Sequence, residues 1–296
     1  MIIGNREFDI SCGEGSLHKC YIMGILNVTP DSFFDGGRWN DIDSAKAHVK
    51  AMIEDGADII DVGGESTRPG HEQISCQEEI ERVAPCIEMI KKEFDIPVSI
   101  DSYKAEVVEE ALKQGADLVN DVWGFRYEKF FEEGTIKEDI GKDNSITKIA
   151  QITAKYDVPC CLMHNRKDTD YTDYIEDVLA DLKDSVDIAL RAGVSKEKII
   201  VDPGIGFAKS LEQNLILTDR LEELKRLGYP ILLATSNKSM IGLSLDLPKE
   251  ERLEGTLVTT VMGVMKGASF IRVHDIKANK RAIEMTRAIL NEKKSI

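Results

Sequence analysis

The chain has 296 residues, 42% of them hydrophobic, so it is long enough to bury a sizeable core in one large domain or two small ones. Its 53 aspartate and glutamate residues outnumber 38 lysine and arginine residues, which gives a formal net charge of −15. This balance argues against a general nucleic-acid-binding or anionic-membrane-binding protein, because such partners favour a basic surface. An anionic substrate must therefore meet a local cluster of positive side chains.

The cysteines and the N-terminal region indicate where the protein is found. The six cysteines are scattered, with no C-x-x-C pair and no Cys/His group at zinc spacing, which is typical of reduced thiols. The chain shows no basic-then-apolar N-terminal signal, and no apolar run approaches the roughly 20 residues that a membrane-spanning helix needs. We therefore expect a cytoplasmic protein that binds neither nucleic acid nor membrane.

Short apolar runs alternate with amphipathic helical patterns along almost the whole chain, which is typical of a parallel α/β architecture. Residues 1–19 come before the first run and are predicted to form a small hairpin or plug. The eight predicted strands are "CYIMGILN" (20–27), "DIIDV" (58–62), "PVSID" (97–101), "DLVND" (117–121), "PCCLMH" (159–164), "KIIVD" (198–202), "PILLAT" (230–235) and "SFIRVH" (269–274).

Helical patterns fill the intervals between these strands. Four of them stop at a glycine, which suits the left-handed residue that commonly ends a helix: Gly56, Gly115, Gly193 and Gly228. The last helix is predicted over "NKRAIEMTRAILNEKK". The segment 122–145, between the fourth strand and its helix, is unusually long, and we favour a solvated excursion slightly over a functional lid.

Eight strand–helix units in about 250 residues predict a (β/α)8 barrel. We expect one domain over residues 1–296, with the N-terminal hairpin or plug beneath the barrel. A doubly wound open sheet is the competing geometry. It would need a G-x-G-x-x-G fingerprint after the first strand, and "GILNVTPDSFFDGG" contains none.

Polar side chains stand at or just after the end of every predicted strand. In a barrel of this kind these ends meet at one rim, where the chemistry is built. In chain order the groups are Asn27, "GGESTRPG", Asp101, Asn120 with Asp121, His164, Asp202, "TSNKS", and Arg272 with His274. An aspartate here can simply cap the next helix. Capping does not explain Asn, His, Lys and Arg at the same rim, so we predict a ligand site.

Three of these groups suit a ligand edge that carries several N–H donors. A carboxylate accepts two parallel hydrogen bonds from an amidine-like N–H/NH2 pair, and an amide accepts one bond while it donates another. Asp101, Asn120 and Asp202 supply these functions.

The other groups suit an anion. Arg272 and His274 lie two residues apart on one strand, so they share a face, and with Lys238 they predict an anion pocket. A buried ion pair between Arg272 and a nearby carboxylate is the less favoured alternative. Asn27 offers an amide oxygen, which is compatible with a Mg²⁺ ion that keeps most of its waters and takes its other ligands from phosphate.

A set of motifs in this order resembles the dihydropteroate synthase family from about residue 20 to the C-terminus. The motifs are "MGILNVTPDSFFDGG", "DVGGESTRPG", "SIDSYKAEV", "LVNDVWG", "LMHNR", "DPGIGFAK", "TSNKSMIG" and "IRVHD". The resemblance implies an enzyme that condenses 6-hydroxymethyl-7,8-dihydropterin pyrophosphate with p-aminobenzoate to give 7,8-dihydropteroate and pyrophosphate. Mg²⁺ is the implied cofactor.

The resemblance also assigns residues to three subsites. It implies a pterin pocket formed by Asp101, Asn120, Asp202 and Lys238. It places pyrophosphate against Asn27, Arg272 and His274, with Asn27 as the metal ligand. It places p-aminobenzoate near Thr67, Arg68, Pro69 and Phe207, with its carboxylate at the helix that begins around Ser239.

The implied chemistry divides among four residues, Asp101, Lys238, Arg272 and His274. The C–O bond to pyrophosphate breaks early and leaves a pterin methylene cation, which the arylamine attacks. Arg272 and His274, with Mg²⁺, would stabilise the leaving group, and Asp101 would stabilise the cation. No protein nucleophile is required.

Two positions depart from the family pattern, and one of them is Phe34 in "DSFFDGG", where a serine is more usual. The loop after the seventh strand most commonly reads Ser-Arg-Lys-Ser in the family, whereas this chain has "SNKS", with Asn237 in place of the arginine. Asparagine is shorter and uncharged, so it cannot replace an arginine that neutralises an anion. The substitution bears on p-aminobenzoate affinity more than on the pterin pocket.

Three rival functions remain open on the sequence. A pterin-binding methyltransferase of the same superfamily shares the Asp/Asn/Asp pocket, but it has no pyrophosphate to bind at "NVTPDSF", "STRPG" and "RVHD". A pterin-binding protein that has lost turnover would be marked by Asn237. A Schiff-base aldolase would need Lys238 or Lys209 to be buried with a depressed pKa.

The oligomeric state is suggested by one helix. "GTLVTTVMGVMKG" is rich in small and apolar residues for a barrel exterior, which indicates burial against a partner, and the resemblance implies a homodimer.

Overall fold

The computed structural model describes residues 1–10, 19–28, 38–66, 73–131 and 146–292. Within these ranges the chain begins with two antiparallel strands of two residues each, β1 (Ile2–Ile3) and β2 (Arg6–Glu7). Eight parallel strands follow them. The parallel strands are β3 (Tyr21–Asn27), β4 (Ile59–Gly63), β5 (Val98–Asp101), β6 (Leu118–Asp121), β7 (Cys160–Met163), β8 (Ile199–Asp202), β9 (Leu232–Leu233) and β10 (Phe270–Val273).

The sheet closes on itself. Its hydrogen-bonded order is β8-β7-β6-β5-β4-β3-β10-β9, and a parallel bridge between Val201 and Ile231 joins its two edges. The predicted (β/α)8 barrel is therefore confirmed, and each of the eight predicted strands is present. The seventh is much shorter than predicted, because only Leu232 and Leu233 keep strand geometry along "PILLAT".

Helices alternate with the strands and cover the outside of the barrel. In chain order they are α1 (Arg38–Glu54), α2 (Cys76–Glu93), α3 (Ala105–Lys113), α4 (Tyr127–Phe131), α5 (Lys148–Lys155), α6 (Tyr174–Ala192), α7 (Leu211–Asp219), α8 (Ser239–Leu245), α9 (Leu253–Lys266) and α10 (Ile276–Glu292). Short 3₁₀ turns occupy Lys196–Lys198, Leu221–Leu227 and Lys249–Glu251. All four glycines predicted to end helical segments have a positive φ, between 76° and 103°.

The strands are apolar on both faces because both faces are buried. Side chains alternate between the faces of a strand. The outer set, including Ile22, Ile60 and Val119, packs under the helices in the main core. The inner set, including Met23, Ile59 and Phe270, fills the bottom of the barrel. The next inward-facing positions are Ile25, Asp61, Ser99, Asn120, Met163, Asp202, Ala234 and Arg272. This layer contains charged and polar side chains as well as apolar ones, and the candidate site begins there.

The N-terminal hairpin closes the other end of the barrel. Ile3 and Phe8 are buried in the same cluster as the inner residues of the strands. The Phe8 ring lies 4.8 Å from the Tyr21 ring and 5.9 Å from the Phe270 ring. The predicted hairpin and plug is confirmed for residues 1–10.

The long predicted segment 122–145 is described only as far as residue 131. There α4 carries an aromatic cluster in which Trp123 contacts Tyr127, Phe130 and Phe131. Residues 132–145 lie outside the described part of the chain, so the choice between lid and excursion stays a prediction.

Candidate active site

A cavity of about 650 Å³ opens at the carboxyl ends of the strands. Nine of the predicted site residues line it: Asn27, Asp101, Asn120, Asp202, Phe207, Lys238, Ser239, Arg272 and His274. The three others, Thr67, Arg68 and Pro69, lie outside the described residues, although Ser66 just before them reaches the cavity wall. The barrel therefore brings together side chains that are up to 247 positions apart in the sequence, Asn27 to His274.

Arg272 forms a buried ion pair with two carboxylates. Its Nε donates to Asp61 Oδ2 at 2.6 Å and its Nη2 to Asp101 Oδ2 at 2.5 Å. Asn120 Nδ2 also donates to Asp61 Oδ2, at 3.2 Å. The ion-pair alternative, which the sequence analysis ranked second, is therefore present, and Arg272 lines the cavity as well. A guanidinium has five N–H donors. The two bonds to carboxylates leave three of them for other acceptors.

Sequence reasoning missed Asp61, the fully buried member of this group. The signal was available in the strand "IIDVG", since an aspartate two residues after an inward-facing isoleucine also faces inward. The polar groups predicted for the site stand at or just after strand ends, whereas Asp61 lies in the middle of β4.

Two buried carboxylate oxygens of this group have no hydrogen-bond partner in the described chain, and one of them belongs to Asp101, which lines the cavity. Asp61 Oδ1 and Asp101 Oδ1 are both buried without a hydrogen-bond partner. Burial raises the pKa of Asp101 to about 7, and the Arg272 charge opposes that rise. An unsatisfied buried carboxylate oxygen is costly. Asp101 Oδ1 is therefore placed to accept a hydrogen bond from a ligand.

Asp202 and Lys238 form a second charged pair across the cavity. Burial lowers the pKa of Lys238 to about 8, and the Asp202 charge opposes this. Burial also raises the pKa of Asp202, whose Oδ1 accepts from the Gly204 amide at 2.7 Å. Lys238 Nζ donates to Ile205 O and lies 4.8 Å from the centre of the Phe207 ring.

His274 follows the last residue of β10, and Asn27 is the last residue of the neighbouring strand β3. His274 Nδ1 pairs with Ser236 Oγ at 2.9 Å, and the His274 amide donates to the same oxygen at 3.2 Å. Ser236 therefore fixes both the ring and the backbone of His274. Arg272 and His274 share the cavity wall, as two residues on one face should, but they bond to different protein groups.

The outer end of the cavity is formed by the loop that carries Asn237. This residue adopts a left-handed backbone with φ of 55°, which asparagine tolerates better than most residues. Its amide donates to Thr256 Oγ1 at 3.2 Å, and its carbonyl accepts from Arg252 Nη1 at 3.0 Å. Arg252 and Lys249 also line the cavity. Sequence reasoning missed both, because they lie between α8 and α9 rather than in a loop that directly follows a strand.

Glu65 anchors the chain on both sides of residues 67–72. Its Oε1 accepts from Tyr103 Oη at 2.8 Å, and its Oε2 accepts from the Ile74 amide at 3.0 Å and from Lys104 Nζ at 2.5 Å. Glu65 also lines the cavity. Glu65 therefore ties the cavity wall to Ile74.

His164 does not line the cavity, although it follows the fifth barrel strand, β7. It is fully buried and bonds to Asp181 and Lys209. The burial condition for a Schiff-base lysine is met by Lys209 and by Lys238, because burial lowers the pKa of both. This condition therefore does not separate an aldolase from the other functions.

Comparison with known proteins separates them. A family model described as pterin binding enzyme matches residues 23–274. A curated dihydropteroate synthase of Clostridium beijerinckii is 58% identical over 291 residues, which are 98% of this chain and 99% of the relative.

Two solved structures give the same result. One is a Clostridium difficile dihydropteroate synthase in the presence of pteroic acid, with 50% identity, a TM-score of 0.83, and coverage of 93% of this chain and 98% of that one. The other is a Xanthomonas albilineans dihydropteroate synthase with 4-aminobenzoic acid, with 35% identity, a TM-score of 0.82, and coverage of 93% and 94%.

Proposed function

The chain belongs to the dihydropteroate synthases of the pterin-binding enzyme family, and on this premise we propose that it is a transferase making 7,8-dihydropteroate. Its substrates are 6-hydroxymethyl-7,8-dihydropterin pyrophosphate and p-aminobenzoate, and pyrophosphate is the second product. The observation that carries the proposal is the cavity, where Asp101, with an unsatisfied carboxylate oxygen, lies beside the bridging Arg272.

The pterin binds at the charged layer of the barrel. Its ring edge carries an N–H and an NH2 group, which match the acceptors of Asp101 and Asp202. Asn120 has its Nδ2 turned toward Asp61, which leaves its carbonyl oxygen to accept. Lys238 supplies a positive charge close to Asp202, and each of these charges favours the ionised form of the other group.

The pyrophosphate binds on the side of Arg272. The remaining N–H donors of this guanidinium suit phosphate oxygens, and His274 adds a ring nitrogen on the same wall. Because two carboxylates already hold Arg272, its position is set before the substrate arrives. Such preorganised donors favour the charge that develops on the leaving group.

Mg²⁺ remains the proposed cofactor, with Asn27 as its protein ligand. Asn27 contributes one amide oxygen to the cavity, which fits an ion bound chiefly by water and pyrophosphate oxygens. Within the described residues there is no group of three His, Cys, Asp or Glu side chains that could hold an ion alone. When bound, Mg²⁺ would lower the charge on the leaving pyrophosphate.

The p-aminobenzoate binds nearer the surface. Its ring lies against Phe207, and its carboxylate lies near Ser239 at the outer end of the cavity. We propose that Thr67, Arg68 and Pro69 cover it, because Ser66 and Glu65 bring the chain to the cavity wall just before these residues. Lys249 and Arg252 add positive charge at this end, where Asn237 adds none.

The reaction needs no covalent bond to the protein. The C–O bond to pyrophosphate breaks with both electrons leaving on oxygen, and the p-aminobenzoate nitrogen then bonds to the pterin methylene carbon and loses a proton. Asp101 favours the cationic intermediate, while Arg272 and His274 favour the anionic leaving group. Holding the amine in line with the methylene carbon lowers the entropic part of the barrier.

The test is to incubate the purified protein with both substrates and Mg²⁺, and to measure pyrophosphate and pteroate together. Equal amounts of both products are expected. Pyrophosphate without pteroate would indicate a failed p-aminobenzoate subsite. Tight pterin binding with neither product would instead favour the methyltransferase or the binding protein without turnover.

A homodimer through α9 and α10 is part of the proposal. These helices pack on each other and expose four large apolar side chains: Val258, Met265, Met285 and Ile289, each at least 54% exposed. Apolar side chains grouped in this way mark interaction surfaces. Replacing Val258 with lysine is expected to convert dimer to monomer in sedimentation equilibrium, whereas replacing exposed Leu190 on α6 with lysine should not. A monomeric wild type would contradict the dimer.

Two further predictions concern location and domains. No described helix is long and apolar enough to cross a membrane. We propose a cytoplasmic location and a single pterin-binding barrel domain over residues 1–296.

A further inference from the structure

The loop after β8, residues 203–208, has a left-handed backbone conformation at three of its six residues. Gly204, Gly206 and Ala208 all have a positive φ, of 67°, 88° and 44°. For alanine this conformation is unfavourable, so surrounding groups must hold it. A Cβ atom at Gly204 would lie 1.9 Å from His164 O, which shows how closely the loop approaches the end of β7.

Lys209 holds this loop from the side away from the cavity. Its Nζ donates to Gly204 O at 2.9 Å, to Phe207 O at 2.9 Å and to His164 Nδ1 at 2.8 Å. Burial lowers the pKa of Lys209. A neutral amine has only two N–H donors, so the three acceptors together favour the ammonium form, which has three. Lys209 therefore links two carbonyl oxygens of the loop to His164.

His164 is held in one tautomer by its other contact. Its Nε2 lies 3.0 Å from Asp181 Oδ2, and a carboxylate can only accept, so Nε2 carries the hydrogen. Nδ1 is then free to accept from Lys209. Burial, followed by the Lys209 charge, lowers the pKa of His164 to about 3, so the ring is neutral. Arg166 and Arg126 fix Asp181 at 2.5 Å and 3.2 Å.

Asn214 holds the loop from the side of α7. Its Oδ1 accepts from the Gly206 amide at 2.6 Å, and its Nδ2 donates to Ser210 O at 2.8 Å. Lys209 therefore binds the carbonyls of the loop while Asn214 binds an amide between them. Of the five backbone groups that these two side chains contact in residues 203–210, three belong to the loop itself.

The loop presents two groups to the cavity. Phe207 lines it, and the carbonyl of Ile205 accepts from Lys238 Nζ. The Lys238 side chain also packs on Gly206, where a Cβ atom would lie 3.1 Å from Lys238 Cδ. A shift of the loop would therefore move both the Phe207 ring and the Lys238 ammonium group that lies over it.

We propose that Lys209 is a positioning residue for p-aminobenzoate, which acts by fixing the Phe207 ring. The inference rests on the proposed function, because it is that function which places p-aminobenzoate against Phe207. Lys209 is not among the residues that line the cavity. It differs from a purely structural lysine in one respect: its effect on the substrate must pass through Phe207.

A double-mutant cycle tests this dependence. The steady-state constants for p-aminobenzoate are measured at saturating pterin pyrophosphate for the wild type, Lys209→Met, Phe207→Ala and the double variant. Methionine keeps most of the volume of lysine and removes its three donors. We expect Lys209→Met to raise the KM for p-aminobenzoate about tenfold, the scale of one lost aromatic contact, with kcat much less changed. In the Phe207→Ala background the same substitution should raise KM less than about twofold.

Two further variants serve as controls. Lys183→Met removes an exposed lysine on α6 and should leave all constants unchanged. Lys209→Arg keeps the charge and several donors, so it should recover part of the KM. If Lys209→Met does not fold, Asn214→Ala is tested in the same cycle, because it releases the same loop from the other side.

The outcomes separate the inference from the proposed function. Equal effects of Lys209→Met with and without Phe207 would overturn the positioning role, as would an unchanged KM in a folded variant. If the wild type makes no pteroate, the proposed function fails. The cycle is then run on the calorimetric dissociation constant of p-aminobenzoate with pterin pyrophosphate present, and no binding by the wild type would overturn the inference too.

Discussion

Replacing Arg272 with methionine is expected to abolish measurable synthesis and to lower the free energy of unfolding by about 3–5 kcal/mol at pH 8. The guanidinium is the partner of both Asp61 and Asp101, so its removal leaves two buried carboxylates without a cation. Activity is lost because the donors on the pyrophosphate side disappear. Urea denaturation and the two-product assay measure the two effects.

The pH dependence identifies the cause of the lost stability. Burial already raises the pKa of Asp101 to about 7 in the folded wild type, and without the opposing Arg272 charge this pKa rises further. The folded state then binds more protons, so the variant loses stability as pH rises and recovers it as pH falls. The deficit relative to the wild type should therefore be smaller at pH 5.5 than at pH 8. A deficit that does not change with pH would indicate lost packing instead.

Two substitutions control for the loss of an arginine as such. Arg226→Met removes a surface arginine paired with Glu176 and Glu223, and its denaturation midpoint should match that of the wild type. Arg272→Lys keeps the charge, but a single ammonium does not reproduce the fork that bridges Asp61 and Asp101. It should recover part of the stability at pH 8 and little of the activity.

The fold could be predicted because it depends on local patterns. Each barrel strand is a short apolar run buried on both faces, and the four glycines mark chain reversals that need a positive φ. Eight such units leave few topologies to consider. The shortness of β9 could not be predicted, since "PILLAT" is as apolar as the other runs and only its pairing with β10 and β8 limits its length.

The candidate site could be predicted where a side chain lies near the end of a strand or in the segment just after it. Asp101, Asn120, Asp202 and Arg272 fit this rule and line the cavity. Asp61 does not, because its role depends on the register that places it opposite Arg272, 211 positions later in the chain.

The groups behind the site were harder to predict. Lys209 and Asn214 have ordinary helix-start contexts, and only the folded loop shows that both bind it. Thr67, Arg68 and Pro69 lie outside the described residues, so their role stays a prediction.

Replacing Asp101 with asparagine is expected to lower kcat/KM by about 10²–10³-fold, the range for loss of one preorganised electrostatic group. The amide cannot satisfy both of its neighbours. If its oxygen accepts from Arg272, its NH2 faces the N–H donors of the pterin, and if it is rotated, its NH2 faces Arg272. Either arrangement sets donor against donor. Asp187→Asn, on α6, is the matched control and should retain full activity.

The raised pKa of Asp101 adds a pH signature to this prediction. With a pKa of about 7, the carboxylate is half protonated near neutrality, and below that pH it loses its negative charge and replaces one acceptor site with an O–H donor. The affinity for 6-hydroxymethyl-7,8-dihydropterin, which carries no pyrophosphate to titrate, should therefore rise between pH 6 and 8 in the wild type. The rise should be smaller in Asp101→Asn, where the remaining pH dependence comes from other groups of the cavity such as Lys238. Calorimetry at several pH values measures both. A flat wild-type profile would mean that Arg272 holds the carboxylate ionised throughout, and that the ion pair rather than burial determines the charge facing the pterin.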